Sequence, residues 1–399
     1  MDHPGTVRTP VVMFHAVGLP VPGWKWPTMT TQVDLFEKQI RLLIDGGFRS
    51  ISLDRYRDLN ETGGHGEARR VALTFDDGYL DNWVFAYPIL KREGWQGTIY
   101  VNPEFVDPGE EPRLNLDDVW SGKCSIQDLQ VHGFLNRAEL RAMQESGVME
   151  IGSHSMSHTW WPTGPEVVDF HHPGIKTYWL AWNARPDRKF AYLNEDQSDF
   201  VPWGTPIHLN GRSLGIRRYF PDPEMEAACT TYVAENGGKD FFSRRNWREE
   251  LEGLVAGLPG GGRPETDEEM LARYRYEILD SKRILQEICG APVVHFCWPG
   301  GAYCDASWEI AQEAGFRTIC VAGKDPARFM SDDPRLVRRI GCGHYFAFGN
   351  RRYPTSDPRF LRWECELQLG IAGGRWPLRL AKFLAAARAG FSPPPTRLP

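Results

Sequence analysis

The sequence predicts an α/β protein whose core is a parallel sheet or barrel, because short apolar strands alternate with helices along most of its 399 residues. Glycines end most of the predicted helices, as is common at helix C-termini. One long stretch, about residues 160–266, interrupts the alternation with irregular, polar and aromatic sequence. We therefore expect one core that carries a large insertion emerging from a single loop.

Eight segments in the first half of the chain follow this alternation. Strands are predicted where β-branched and aromatic residues run together, and helices where apolar residues recur at helical spacing. In chain order they are a strand at 11–18, a helix and a short strand within 34–53, a strand at 71–75, a helix at 82–94, a strand at 95–102, a helix at 137–147 and a strand at 148–154.

The same order returns after the insertion, which ends in a Gly/Pro-rich run, GLPGGGRPETDEE, that is typical of a linker. The later segments are a helix at 277–290, a strand and loop at 292–301, a helix at 307–315 and a strand at 317–323. The predicted organisation is a barrel over 8–350, an insertion over 160–266 within it, and a C-terminal extension over 351–399 that contains an amphipathic helix.

Composition excludes several classes of protein. A net charge of -6 gives no reason to expect a nucleic-acid partner. The 8 cysteines are scattered without a C-x-x-C pair, which predicts neither a disulfide framework nor a cysteine zinc site. The N-terminus lacks a basic segment followed by an apolar run, and no window is long enough to span a bilayer, so we expect a cytoplasmic protein.

Two adjacent carboxylates follow the apolar strand at 71–75. Asp76 and Asp77 come directly after Phe75, and Gly78 follows them. Asp-Gly is a common turn signal, so a surface turn is the simplest interpretation. In a β/α protein, however, the carboxyl ends of buried strands are where catalytic groups collect. The two acids are therefore candidate functional residues.

Two histidines follow another predicted strand, in MEIGSHSMSH. His154 and His158 have the i, i+4 spacing that metal sites use, although unrelated loop histidines remain an alternative. Two imidazoles and one carboxylate would make a three-ligand set with an open coordination position, which is typical of a catalytic zinc-type site. The other carboxylate can act as general base on a water whose pKa the metal lowers to about 7.

The motifs TFDDG and SHSMSH resemble the two leading motifs of the polysaccharide deacetylase family, the NodB-homology domain of carbohydrate esterases. The flanks at about 8–158 and 267–345 are similar to one bacterial branch. The resemblance implies a distorted (β/α) barrel and a hydrolase that uses a divalent metal. Its expected activity is removal of an N-acetyl or other acyl group from a sugar, sugar-lipid or glycan precursor.

Roles for the site residues also come from this resemblance. It implies that Asp76 is the base and that Asp77, His154 and His158 bind the metal, with Zn²⁺ expected and Co²⁺ or Ni²⁺ as alternatives. The late histidine of the family, which protonates the leaving amine, is best matched by His344 in RRIGCGHYF.

The third motif departs from the family. Many members carry an arginine two residues before its proline, where it steadies the base, and here that position is Cys297, before Trp298 and Pro299. Either the base is tuned differently or an arginine from elsewhere in the chain substitutes. His15, at the end of the first strand, is expected either to support the metal ligands or to act directly.

Five residues are candidates for substrate binding. They are Trp160, Trp161, Trp298 and Pro299, which lie in or beside the motifs, and Tyr100, at a strand end whose backbone N–H is expected to stabilise the oxyanion. The tryptophans either stack on a sugar ring or close the mouth of the barrel as apolar caps.

The expected partner is an N-acetylated sugar or glycan precursor, because a cytoplasmic enzyme does not reach a wall polymer. Two alternatives stay open: a non-sugar amide or cyclic imide hydrolase on the same fold, and a glycan-binding relative with impaired catalysis. The tail at 375–391 predicts a basic amphipathic helix, which either packs on the barrel or makes a peripheral contact with an anionic membrane. The sequence does not predict the oligomeric state.

Overall fold

A parallel sheet of nine strands forms the centre of the protein. The computed structural model describes residues 7–19, 27–66, 68–258, 260–322, 326–329, 331–348, 351–371 and 378–384. The strands are β1 (Val11–Phe14), β2 (Ala16–Gly18), β3 (Thr30–Gln32), β4 (Arg49–Ser50), β5 (Arg70–Phe75), β6 (Gly97–Val101), β7 (Met149–Ser153), β8 (Trp160–Phe170), β9 (Pro206–Arg212), β10 (Tyr219–Pro221), β11 (Gly262–Pro264), β12 (His295–Cys297), β13 (Thr318–Val321), β14 (Leu336–Arg338), β15 (Ile340–Gly341), β16 (Tyr345–Phe348) and β17 (Arg351–Pro354).

Helices cover the sheet, and several begin at a polar cap or end at glycine. Asn136 and Gly147, for example, cap the two ends of one of them. The α-helices are α1 (Val33–Asp45), α2 (Leu53–Thr62), α3 (Tyr87–Glu93), α4 (Leu116–Trp120), α5 (Arg137–Ser146), α6 (Tyr178–Ala184), α7 (Pro223–Glu235), α8 (Trp247–Ala256), α9 (Asp267–Arg275), α10 (Ser281–Cys289), α11 (Asp305–Glu313), α12 (Pro326–Phe329) and α13 (Arg359–Gln368).

The sheet curls into a nearly closed barrel. Its strand order is β14-β13-β12-β7-β6-β5-β1-β15, with β4 paired to β5 as well. Strands β14 and β15 lie at opposite ends of this order, yet along the chain only Arg339 separates them. The two edges must therefore lie next to each other, and we call this junction the seam. The predicted α/β barrel is confirmed, and His15 divides the single predicted strand at 11–18 into β1 and β2.

The insertion is a folded unit and not the irregular stretch that its sequence suggests. Strands β8 and β9 form a long antiparallel ribbon, and α7 and α8 pack around a small apolar core that includes Phe170 and Phe241. The predicted linker contains β11, which pairs with β10. Pairing with Tyr219–Pro221 therefore gives strand structure to a segment whose Gly/Pro composition alone predicts a loop.

The start of the predicted C-terminal extension belongs to the barrel. Helix α13 buries Leu361 and Cys365 in the main apolar core, close to α1. A helical segment follows at 378–384, where Leu378 packs against Phe360. The remainder of the helix predicted at 375–391 lies outside the described residues. None of the described helices has the length and apolar character needed to cross a bilayer.

Candidate metal centre

The carboxyl ends of the barrel strands bring the predicted site residues together. His15 follows β1, Asp76 and Asp77 follow β5, and His154 follows β7. Parallel strands place these ends at one edge of the barrel. Main-chain bonds fix two of them, since Asp76 N–H donates to Phe14 O at 3.0 Å and His154 N–H to Val101 O at 2.9 Å.

Asp77, His154 and His158 form a compact cluster, as the spacing predicts. The Nε2 atoms of His154 and His158 each lie 3.4 Å from Asp77 Oδ1. His154 Nδ1 is 2.8 Å from the carbonyl oxygen of Cys297, so this nitrogen donates and Nε2 faces Asp77 as an acceptor. Asp77 Oδ1 is buried without a hydrogen-bond partner among the described residues.

These three side chains fit a divalent metal ion. Ligand atoms about 2.1 Å from a tetrahedral zinc lie about 3.4 Å apart, and the cluster has this spacing before any ion is considered. The left-handed backbone of Asp77 (φ 74°), Ser155 (φ 65°) and His158 (φ 46°) concentrates strain at the cluster. Such strain and the unpartnered Asp77 oxygen indicate a site shaped for a ligand.

His158 and Asp77 are held in the protonation states that bind metal, whereas the carboxylates of Asp77 and Asp76 outweigh burial and raise the pKa of His154. Burial lowers the pKa of His158 to about 4, which keeps its imidazole neutral. Burial would raise the pKa of Asp77, but the facing imidazoles of His154 and His158 outweigh it and hold that pKa well below its usual range. A neutral imidazole and an ionised carboxylate are the forms that coordinate metals.

Arg339 holds the predicted base, Asp76, through a bidentate ion pair. Nη1 of Arg339 lies 2.6 Å from Oδ1 of Asp76, and Nη2 lies 2.9 Å from Oδ2. The same Nη2 is 3.0 Å from Sγ of Cys297. Burial would raise the pKa of Asp76, but Arg339 outweighs burial and lowers it. Of the two alternatives for the departure at Cys297, the contact with Arg339 corresponds to an arginine from elsewhere in the chain.

The two candidate proton donors are placed differently. His15 Nε2 lies 3.9 Å from Oδ2 of Asp76, and its side chain is partly exposed. His344 directs Nε2 to the carbonyl oxygen of Thr28 at 3.1 Å, and Nδ1 to Cys342 and Thr31. Both nitrogens of His344 therefore have partners on the wall of the barrel, whereas His15 adjoins the base.

Two of the predicted substrate-binding residues are core residues. Trp298 is only 1% exposed and packs against Phe296 and Trp308, so neither face of its ring is open to a sugar. Tyr100 is fully buried beneath the site, where its hydroxyl accepts from Cys320 Sγ at 3.2 Å. Trp298 adjoins the third motif in the sequence, but its side chain packs among the helices outside the sheet. Tyr100 was expected to act through the backbone at its strand end, and its side chain packs inside the barrel.

Of the other three, Trp160 and Trp161 are partly exposed and Pro299 is buried. The ring of Trp160 is 5.7 Å from that of His158, measured between centroids, and Pro299 lines a small pocket that also contains His158. Trp161 is covered by Arg218, whose guanidinium carbon lies 3.6 Å from the ring centroid. Trp160 and Pro299 therefore adjoin the metal cluster, whereas Trp161 contacts another part of the insertion.

A buried polar network supports the loop that carries His158, and sequence analysis missed it. Lys189 of the insertion donates to the carbonyl oxygen of Ser157 at 2.9 Å and pairs with Glu104. Glu277 accepts from the Ser157 N–H at 3.0 Å and from the Ser213 hydroxyl at 2.9 Å. Insertion and barrel thus hold the metal loop jointly. A buried lysine gives no local sequence signal.

The arginine of the site was also missed as a specific residue. Arg339 stands in PRLVRRIG, where nothing in the local sequence separates it from its neighbour Arg338. The available signal was negative: Cys297 occupied the place where an arginine was expected. Only the seam identifies its replacement.

A second group of possible ligands occupies the opposite end of the barrel. His295 Nε2 lies 3.0 Å from Glu150 Oε2 and 4.0 Å from Asp54 Oδ1. Arg317 Nε is 3.1 Å from the same Asp54 oxygen, and His295 Nδ1 contacts the Thr318 hydroxyl at 2.8 Å. This arrangement is an ion-pair network that joins strand beginnings to α2.

Comparison with known proteins agrees with the motifs. The family model described as polysaccharide deacetylase matches residues 63–172 and 263–319. The gap between the two matched segments falls within the insertion.

Individual relatives match shorter parts of the chain. The Bacillus subtilis protein YxkH, named as a polysaccharide deacetylase, is 27% identical over 94 residues, which are 24% of this chain and 32% of YxkH. The poly-beta-1,6-N-acetyl-D-glucosamine N-deacetylase of Escherichia coli is 23% identical over 127 residues, 32% of this chain and 18% of that enzyme. The solved BpsB deacetylase domain from Bordetella bronchiseptica aligns over 86% of this chain and 98% of its own, with 19% identity and a TM-score of 0.48.

Proposed function

We propose that the chain is a polysaccharide deacetylase, since that family model matches residues 63–172 and 263–319, and that it is a metal-dependent hydrolase that removes an N-acetyl or other acyl group from a sugar-containing precursor. The observation that carries the proposal is the position of Asp76. Its carboxylate is fixed by Arg339 directly beside the Asp77, His154 and His158 cluster.

The proposed metal ligands are Asp77, His154 and His158. Zn²⁺ is the expected ion, with Co²⁺ and Ni²⁺ as alternatives, because two imidazoles and one carboxylate suit these metals. When bound, such an ion polarises the acyl carbonyl and makes a water molecule acidic enough to be deprotonated near neutral pH.

Asp76 is the proposed general base. Arg339 keeps its carboxylate ionised and in one orientation, so that it can accept a proton from the attacking water. The bidentate contact occupies one face of the carboxylate and leaves the remaining oxygen lone pairs for that proton. The ion pair between Arg339 and Asp76 favours an active enzyme over a binding protein with impaired catalysis.

We assign the proton donor to His15 in preference to His344. His15 is 3.9 Å from the base and partly exposed, whereas both ring nitrogens of His344 contact Thr28, Thr31 or Cys342. Protonation of the leaving amine requires a group that reaches the scissile bond. The pair of Asp76 and His15 would take up the proton of water and deliver one to the amine.

The proposed substrate is an N-acetylated sugar or glycan precursor held near Trp160. The ring of Trp160 adjoins His158 and is partly exposed, which suits stacking on a sugar. The proposed location is cytoplasmic with a peripheral membrane contact. Leu380 and Phe383 on the segment 378–384 are 61% and 58% exposed, which supports this contact.

Acetate release by the zinc- or cobalt-loaded protein tests the activity. The substrates are N-acetylated sugar nucleotides, polyprenyl-linked N-acetyl sugars, short chitin oligomers and a cyclic imide, each compared with Asp76→Asn. Release from any sugar that depends on metal and disappears in Asp76→Asn is the expected result. Ring opening of the imide alone, or no turnover in a metal-loaded protein, would contradict a carbohydrate deacetylase.

A further inference from the structure

Arg212 of the insertion reaches into the candidate active site. It ends strand β9, and its guanidinium carbon lies 5.2 Å from the centroid of the Trp160 ring. Together with His158, Ser155 and Pro299 it lines the small pocket beside the metal cluster. An arginine of the insertion therefore forms part of the wall that a substrate would contact.

This guanidinium has no counter-ion in the part of the chain that the structure describes. No hydrogen bond or ion pair joins its side chain to another residue there, although Asp77 is near enough to raise its pKa. Burial outweighs that effect and lowers the pKa of Arg212. Three other insertion arginines have acid partners: Arg217 with Asp267, Arg248 with Asp169 and Arg263 with Glu269.

The loop Pro299–Gly301, which follows Trp298 in the third motif, leaves room for the side chain of Arg212. A Cβ atom on Gly300 would lie 1.3 Å from Nη1 of Arg212, so a side chain at that position would displace the guanidinium. Gly300 also has a positive φ of 54°, which favours glycine. The barrel loop and the insertion thus fit each other at this contact.

The charges around the pocket leave Arg212 without an acid to neutralise. Asp76 is already paired with Arg339, and Asp77 faces the two histidines and the proposed metal ion. A half-buried, unpaired guanidinium is costly unless an anion reaches it. Planar bidentate recognition of phosphate and carboxylate is the usual task of such an arginine.

We propose that Arg212 forms an anion subsite, and that the substrate of this site is an acylated sugar carrying an oxyanion, phosphate or carboxylate, next to the acylated group. The inference rests on the proposed function and adds the chemical class of its substrate. Trp160 lies under the guanidinium and holds it in place through a cation–π contact.

Calorimetric binding to the metal-loaded Asp76→Asn protein tests the subsite without turnover. The probes are N-acetylglucosamine, its 1-phosphate and 6-phosphate, and N-acetylmuramic acid, which distinguish phosphate from carboxylate and the position of the charge. We expect at least one anionic probe to bind more than about 10-fold tighter than the neutral sugar. Adding Arg212→Met should remove that difference between anionic and neutral probes.

Three further variants complete the experiment. Arg212→Lys should keep part of the preference, because charge remains while the bidentate geometry is lost. Arg212→Gln replaces Arg212→Met if the latter does not fold, as judged by circular dichroism. Arg263→Met, an exposed insertion arginine paired with Glu269, is the matched control and should bind all probes like its parent.

The outcomes separate the subsite from the activity. Equal affinity for neutral and anionic probes, a preference that survives Arg212→Met, or no saturable binding of any anionic probe overturns the subsite. Acetate release from neutral sugars alone by the protein with Asp76 intact also overturns it, while preserving the deacetylase. An Arg212-dependent anion preference without acetate release from any probe supports the subsite and overturns the proposed activity.

Discussion

Arg339 and Asp76 are joined by two hydrogen bonds, of 2.6 and 2.9 Å, across the seam of the barrel. Asp76 ends β5 in the middle of the sheet, whereas Arg339 links the two edge strands β14 and β15. Closure of the barrel therefore positions the proposed base. Cys297, small and adjacent to both, leaves room for the guanidinium that many family members place there from the third motif itself.

Replacing Arg339 should change the ionisation of the base. In Arg339→Met, buried Asp76 loses its counter-ion, its pKa rises, and kcat/KM falls at neutral pH. The acid limb of the pH profile of kcat/KM should move to higher pH. In the parent, the pKa of Asp76 is lower in the folded than in the unfolded protein, so its ionised form stabilises the folded state at any pH above the unfolded value. Loss of Arg339 should therefore also lower the free energy of unfolding at neutral pH by about 3–5 kcal/mol.

The control for this variant is Arg335→Met, whose arginine pairs with Asp333 at the surface. Its pH profile should match that of the parent. An Arg339→Met enzyme with an unshifted acid limb would show that Arg339 does not tune Asp76.

Removal of single site residues should separate metal binding from base catalysis. Asp77→Ala and His154→Ala should lose the metal, because each removes one of three ligands. Asp76→Asn should retain about one ion per chain and lose about 10²–10⁴-fold in kcat. Metal analysis after dialysis gives the first quantity and acetate release the second. Near-normal turnover in Asp76→Asn would refute the assignment of the base.

Substrates with different leaving groups distinguish His15 from His344 as proton donor. His15→Gln should lose about 10²-fold or more on an N-acetyl sugar, whose amine must be protonated as it departs. The loss should be much smaller on 4-nitrophenyl acetate, because a phenolate leaves without a proton. His344→Gln should keep most of both activities. The reverse pattern for the two histidines would restore His344 as the donor.

Asp81 should make stability depend on pH. Burial raises its pKa to about 8 in the folded protein, whereas an unfolded aspartate ionises near pH 4. The folded state therefore keeps a proton that the unfolded state has lost, and stability falls between about pH 4 and pH 8 by at most about 1.4 kcal/mol per pH unit. Urea unfolding of Asp81→Asn should show a stability gain over the parent that grows as the pH rises.

The control is Asp45→Asn, which changes an exposed aspartate at the end of α1. Its free energy of unfolding should change with pH in the same way as that of the parent. A constant difference between Asp81→Asn and the parent from pH 5 to pH 8 would mean that Asp81 is ionised throughout.

The exposed apolar residues at 378–384 should mediate any membrane contact. The double variant Leu380→Ser, Phe383→Ser should bind vesicles containing phosphatidylglycerol more weakly than the parent, as measured by co-sedimentation. Leu271→Ser, which changes an exposed leucine on α9, is the matched control. Absence of binding by the unaltered protein would end the membrane proposal.

Local sequence predicted that two acids and two histidines would lie together, and the family resemblance supplied their expected roles. In TFDDG and SHSMSH, each ligand follows a strand within a few residues, and parallel strands place their carboxyl ends at one edge. Spacing along the chain therefore predicted Asp76, Asp77, His154 and His158 as one cluster. The alternation of strands and helices likewise predicted the α/β core, because the periodicity of apolar residues is a property of each segment.

Only the tertiary structure decided which distant groups complete the site. Arg339 reaches Asp76 because the sheet closes, and Arg212 reaches the pocket because the insertion folds back over the barrel. Helix packing likewise buries Trp298, which the sequence offered as a residue that stacks on a sugar. The physical reason is that a motif fixes contacts over a few residues, whereas the partner of a buried charge is chosen by packing between segments hundreds of residues apart.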